Sequence, residues 1–185
     1  MKKIALFVSG TGSNAKKMIR YFKSNSNIRV SLVVSSFNES PLLPFAKKHG
    51  VRFKKINKAF FSDTDKMTCL LKEIDLIVLA GFLWLVPPEL ITVFNKKIIN
   101  IHPALLPKYG GSGMYGINVH AAVFKNKDDF SGITIHYVNE RYDKGEIIFQ
   151  KKCGVSHLKS PAEIQKKVLS LEHKYYSIIV ESLLL

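Results

Sequence analysis

Cysteine is scarce: the 185-residue chain has two, Cys69 and Cys153, without any short Cys-x-x-Cys spacing. That scarcity argues against a disulfide frame, a metal knuckle or a thiol nucleophile, and it fits a reducing compartment. Long apolar runs are missing as well. None approaches the roughly 20 residues that a bilayer crossing needs, and Met1-Lys2-Lys3 leads into a short strand pattern rather than a signal-peptide core. The expectation is a soluble, unexported, cytoplasmic protein. Acidic residues are few, 14 against 28 Lys plus Arg, for a net charge of +14. Such an excess concentrates phosphorylated or carboxylated ligands and would also suit nucleic acid. The lysines are dispersed, however, and zinc-finger, RNP and basic-zipper patterns are absent, so neither a nucleic-acid nor a membrane partner is expected. Repeats, low-complexity segments and linkers are lacking too. With 46% hydrophobic residues the chain can bury a full core, and its length suggests one domain over residues 1–185.

What the chain does have is short apolar runs alternating with helical spacing. Residues 4–8 (Ile-Ala-Leu-Phe-Val) read as a strand covered on both faces. A glycine loop follows, Ser9-Gly10-Thr11-Gly12-Ser13-Asn14, and then a helix face marked by Ala15, Met18, Ile19 and Phe22. Further strands are expected at 30–35, 51–55, 75–80 and 97–101, and helices at 44–50, 63–74 and 88–94. In the second half a helix at 120–124, a hairpin of strands 132–138 and 147–150, and a last helix from Pro161 to about 183 complete the pattern. The fold class is therefore α/β and Rossmann-like. It is an open, mostly parallel twisted sheet with helices on both faces and an antiparallel C-terminal hairpin.

In such a sheet ligands meet the carboxyl ends of the strands, which brings the loops at 10–14, 81–86 and 100–108 to one rim. The first is a strand–glycine turn–helix start, an anion site with Gly12, Ser13 and Asn14 at the positive helix end. It lacks the third glycine of a dinucleotide loop and the Gly-Lys-Ser/Thr of a Walker loop, so a monophosphate pocket is the better reading; a plain tight turn is the alternative. The second, Leu83-Trp84-Leu85-Val86, offers backbone amides and an apolar wall to a flat heterocycle, unless Leu83, Leu85 and Val86 are simply core. In the third, Asn100 and His102 are two apart on a strand and share a face. An amide donor beside an imidazole is the pair that acyl transfer needs for its oxyanion and its protons. Pro103 and Pro107 stiffen the exit, and a structural strand-end histidine is the alternative. Asp143 reads as a loop turn former, and Glu172-His173 as a solvated mid-helix pair.

Taken together, these segments resemble a known family, the folate-dependent phosphoribosylglycinamide formyltransferases of purine synthesis. The resemblance runs from residue 4 to about 180. It is carried by residues 9–14, 78–82 and 100–109, by Gly132-Ile133-Thr134-Ile135-His136, and by Asp143 and Glu172-His173. It implies transfer of a formyl group from 10-formyltetrahydrofolate, as co-substrate and without a metal, to the amine of 5-phosphoribosylglycinamide. Residues 1–99 would form the phosphate-binding half and 100–185 the catalytic and folate-facing half. By motif, Gly12, Ser13 and Asn14 would hold the substrate phosphate, Glu172 the ribose, and Leu83, Trp84, Leu85, Val86, Asn100 and Val138 the folate. Asn100 would stabilise the oxyanion, His102 would donate the proton, and Asp143 would raise the pKa of that histidine. A monomer or homodimer is expected.

Three features depart from it. Many members read Met-Arg-Ile-Leu at 83–86, carry a histidine-rich loop at 110–116, and have an arginine near 63–66 that this chain lacks. The rivals are a formyltetrahydrofolate hydrolase, a methionyl-tRNA-type formyltransferase and a non-catalytic phosphosugar or nucleic-acid binder. The first two usually carry a further domain.

Overall fold

The apolar pentamer at the start of the chain becomes β1 (Lys2–Val8), an interior strand of one seven-stranded sheet ordered β3-β2-β1-β4-β5-β6-β7. The computed structural model describes residues 1–37 and 39–185. The other parallel strands are β2 (Ile28–Ser35), β3 (Arg52–Lys55), β4 (Leu76–Leu79) and β5 (Ile98–His102). β6 (Phe130–Tyr137) and β7 (Ile147–Gly154) are antiparallel, making the expected C-terminal hairpin.

Two apolar clusters explain why the strands read as continuous apolar runs. On one face Ile4, Leu6 and Val8 pack beneath α1 (Ser13–Tyr21), α2 (Leu43–Lys48), α6 (Ile117–Lys125) and the long α7 (Pro161–Leu184). On the other, Ala5 and Phe7 pack beneath α3 (Lys58–Ser62), α4 (Thr64–Leu71) and α5 (Pro88–Val93). Ile4, Ala5, Leu6 and Val8 are wholly buried. Among the described residues no helix is long and apolar enough to cross a membrane.

Local chemistry sets the helix ends. Ser160 accepts from the Glu163 N–H ahead of Pro161, and Glu163 reaches back to the Lys159 N–H, so the start of α7 is closed from both sides. The helix expected over 63–74 is shorter, and a separate helix precedes it. Asp63 is extended (φ −86°, ψ 99°) and its carboxylate caps the Lys66 N–H at 3.0 Å, which ends α3 and starts α4. β7 runs beyond the expected 147–150 because its Lys151–Gly154 continuation, which has no apolar alternation, is held by backbone pairing with β6. His102 is the last residue of β5, opposite Thr134, rather than just past the strand end.

Candidate functional site

A cavity of about 410 Å³ opens at the carboxyl ends of β1, β4 and β5. The three loops expected at one rim do meet there: Gly10–Asn14, Gly81–Leu83 and Asn100–Pro103 all contribute to its wall.

The β1–α1 turn enters through Gly12, whose φ of +69° is a left-handed conformation that suits glycine. A Cβ there would also lie 2.8 Å from Leu42 Cδ2. No side chain caps α1, which leaves its first N–H groups facing the cavity rim. Asn14 donates its amide to Glu172 Oε2 at 2.5 Å, while its Oδ1 is buried without a partner. The solvated-pair reading of Glu172-His173 is thereby corrected. α7 crosses α1 and turns Glu172 into the cavity wall, where burial pushes its carboxyl up and the Asn14 amide partly opposes that.

Opposite lies a four-residue cluster on β5, β6 and the loop between β6 and β7. Asn100 and His102 share one face of β5, away from Ile99 and Ile101 of the first core cluster. Pairing with β6 sets His136 across from Asn100, with the Asn100 amide 3.3 Å from His136 Nε2. His136 Nδ1–H donates to the Tyr137 carbonyl at 2.8 Å, so in the neutral ring Nε2 is free to accept from Asn100. His102 Nε2–H donates to the Tyr109 carbonyl at 2.7 Å. Its Nδ1 lies 3.4 Å from Asp143 Oδ2, and His136 Nε2 lies 3.5 Å from Asp143 Oδ1. Asp143 Oδ2 also accepts the Gly111 N–H at 2.9 Å.

Asp143 is thus more than a turn former. It takes a left-handed φ of +56°, and its side chain, 10% exposed, is driven between two imidazoles. Burial pushes its carboxyl up, but His136, His102 and the Gly111 N–H together hold it below the ordinary carboxylate value. Asp143 pulls the His102 pKa upward, as the resemblance implies, but a larger effect opposes it. Burial lowers the His102 pKa, and the opposing pull of Asp143 and the Tyr109 carbonyl does not restore it, so the imidazole lies below its usual value.

The remaining residues expected at the site divide. Leu83 and Asn100 line the cavity; Trp84, Leu85, Val86 and Val138 are outside its lining. Val86 is core, 3% exposed, and Trp84 and Val138 pack against the same cluster, whereas Leu83 and Leu85 are exposed. The core alternative therefore holds for Val86 and not for the two leucines.

Other cavity residues escape a reading of the sequence. Gly111–Gly116 form a wall of the cavity, with positive φ at Gly111, Gly113 and Gly116. His120 of α6 lines it too, 2% exposed, with Nδ1 unpartnered and its pKa lowered to about 4, first by burial and then by the charge of His102. His136 carries no role there either, although a Thr134-x-His136 polar pair on an apolar strand is the available signal. Gly145 and Gly132 admit the approach: a Cβ would sit 1.7 Å from the Tyr137 carbonyl oxygen at the first and 2.1 Å from that of Lys151 at the second.

Comparisons with known proteins bear on this arrangement. The formyl transferase family model matches residues 2–180. A chloroplastic phosphoribosylglycinamide formyltransferase of Arabidopsis thaliana is 41% identical over 97% of this chain and 64% of its own length. The Bacillus subtilis phosphoribosylglycinamide formyltransferase is 33% identical over 100% of this chain and 95% of its own. The chain thus spans less than two thirds of the plant relatives, 64% and 61% of their lengths, and nearly all of the bacterial one. Among solved structures, glycinamide ribonucleotide transformylase 1 of Geobacillus kaustophilus superposes with a TM-score of 0.89 at 28% identity, over 100% of this chain and 99% of that one. With family match, sequence identity and superposition all extending over nearly the full length, the chain belongs to the formyl transferase family, among its phosphoribosylglycinamide formyltransferases.

Proposed function

We propose that this protein transfers the formyl group of 10-formyltetrahydrofolate to the amine of 5-phosphoribosylglycinamide, a step of purine biosynthesis. The observation that carries the reading is a single cavity lined at once by the Gly10–Asn14 turn, Glu172, Asn100, His102 and Asp143. It suits a substrate with an anion at one end and a nucleophile at the other. The phosphate would meet the first N–H groups of α1 with Asn14 beside it, and the ribose hydroxyls would meet Glu172. The folate would lie along Leu83 and Asn100.

The amine nitrogen attacks the formyl carbon, and the carbonyl oxygen becomes an oxyanion that the Asn100 amide stabilises by donating to it. The new C–N bond forms, the bond from carbon to folate N10 breaks, and one proton passes from the amine to N10. His102 carries that proton. Its lowered pKa makes the neutral ring the resting form near pH 7, ready to accept the amine proton before giving one up. Asp143 orients the ring and favours its protonated form in passing. A cytoplasmic setting is part of the proposal, and the free thiols of Cys69 and Cys153 are consistent with it.

The test is to mix the protein with 10-formyltetrahydrofolate and follow loss of formyl with and without phosphoribosylglycinamide. Loss that depends on the amine, with formylated amine as product, is expected. Equal loss without it would make the protein a hydrolase, and no loss in either case would leave it a binder.

A further inference from the structure

At the other end of the sheet a second cavity, of about 770 Å³, shares no lining residue with the catalytic one. Its cations are Lys3, Arg29, Arg52, Lys54, Lys66 and Lys72. The only carboxylate in its lining, Glu73, already pairs with Lys3 at 2.6 Å, and Lys66 pairs with Asp63 at 2.6 Å. Arg29, Arg52, Lys54 and Lys72 pair with no carboxylate among the described residues.

The fold creates this concentration. Lys3 lies opposite Arg29, and Arg52 opposite Leu32, in the β1–β2–β3 ladder. Ala5 and Leu32 belong to the core beneath α3, α4 and α5, so by strand alternation Lys3 and Arg52 stand on that same face of the sheet. α4 packs Met67 and Leu71 into the core of that face, and β3 is the edge of the sheet beside it. There the edge strand carries Arg52 and Lys54 where apolar side chains would have invited a covering helix. Like charges drawn together in a concavity repel one another, and an anion relieves that repulsion.

The walls narrow the ligand class. Guanidinium forks match phosphate oxygens in pairs, and four uncompensated cations suit three or four negative charges held close together. Phe60 forms part of the lining, with Lys54 Nζ 5.0 Å from its ring centroid, and Leu70 and Ile74 are half-buried beside it. An aromatic and aliphatic wall next to such cations accommodates a flat base.

We propose that this groove is a second ligand site that binds a polyphosphate group, free or carried on a nucleoside. It does not depend on the catalytic reading, because none of its residues touches the formyl-transfer cavity.

Isothermal titration of the full chain with inorganic triphosphate and, separately, with ATP, both in magnesium-free low-salt buffer, tests it. Both probes are expected to bind, more weakly as salt rises. The double variant Arg52→Gln/Lys54→Gln should lose tenfold or more in affinity for both, while Asn14→Ala retains it and formyl transfer by the double variant stays unchanged. Arg29→Gln/Lys72→Gln should behave in the same way. ATP binding more tightly than triphosphate, with the difference removed by Phe60→Ala, identifies a nucleotide site. Equal affinities identify an inorganic polyphosphate site. Absence of binding by a protein that still unfolds cooperatively, affinity unaltered in both double variants, or loss confined to Asn14→Ala would overturn the proposal.

Discussion

The glycine turn and the histidine–aspartate cluster face each other across one cavity, yet they are built on different principles. The turn sits between two consecutive elements, β1 and α1, and offers backbone N–H groups whose direction follows from Gly12 and the helix axis. The cluster gathers Asn100, His102, His136 and Asp143 through two antiparallel pairings and a loop contact, and it offers side chains. A backbone site of the first kind is local and tolerant of the neighbouring side chains. A side-chain site of the second kind depends on long-range register, because a slip of one residue between β5 and β6 would turn His136 away from Asn100.

Substitutions can break this contrast at its strongest point first. His102→Ala is expected to lower kcat by about 10² to 10⁴ with little change in KM for the amine, because it removes the proton carrier and leaves the anion site alone. Steady-state kinetics with each substrate varied in turn decides it. Asn100→Ala should cost about 10² to 10³ in kcat, the usual loss for one oxyanion donor. Gly145→Ala tests the long-range dependence through stability. The added Cβ would meet the Tyr137 carbonyl oxygen at 1.7 Å, and the resulting overpacking should cost about 1–3 kcal/mol or more in urea unfolding. Asn14→Ala acts on the other side of the cavity. It should raise KM for the phosphorylated amine about tenfold, in line with the loss of a hydrogen bond to a charged group, and leave that for folate nearly unchanged.

The smallest effects are in pH dependence. Asp143 pulls the His102 pKa upward against burial, so Asp143→Asn should move the His102 limb of the rate profile to still lower pH. His120 gives a stability counterpart. Its pKa is about 4 in the folded chain, against roughly 6.5 unfolded. Between those values the unfolded chain binds the extra proton, so this histidine makes stability fall as pH drops from about 6.5 to about 4. Thermal unfolding of His120→Asn across that window should show a shallower decline than the parent.

The difference between the two regions also explains what can be read from sequence. The β1 pentamer, the glycine turn and the sheet class follow from apolar runs and turn residues that are adjacent in the chain. Asn100 and His102 are legible for the same reason, being two apart on one strand. Asp143, His136 and Glu172 are not legible from their neighbours. Their roles come from β5–β6 pairing, from a left-handed loop residue and from the crossing of α7 over α1, and only family resemblance points to Asp143 and Glu172. That Asp143 pulls the His102 pKa upward is visible in a motif, whereas the burial that outweighs this pull is not. Helix α3 escapes notice because its five residues are too few for a periodicity to appear.

Whether turn and cluster serve one substrate is decided most directly by a crystal structure of the protein with phosphoribosylglycinamide bound. The expected result has the phosphate at the Ser13 and Asn14 end of α1, the ribose at Glu172, and the amine nitrogen within hydrogen-bond reach of the Asn100 and His102 side chains. A phosphate lodged in the Arg52–Lys54 groove instead, or an amine turned away from His102, would contradict it.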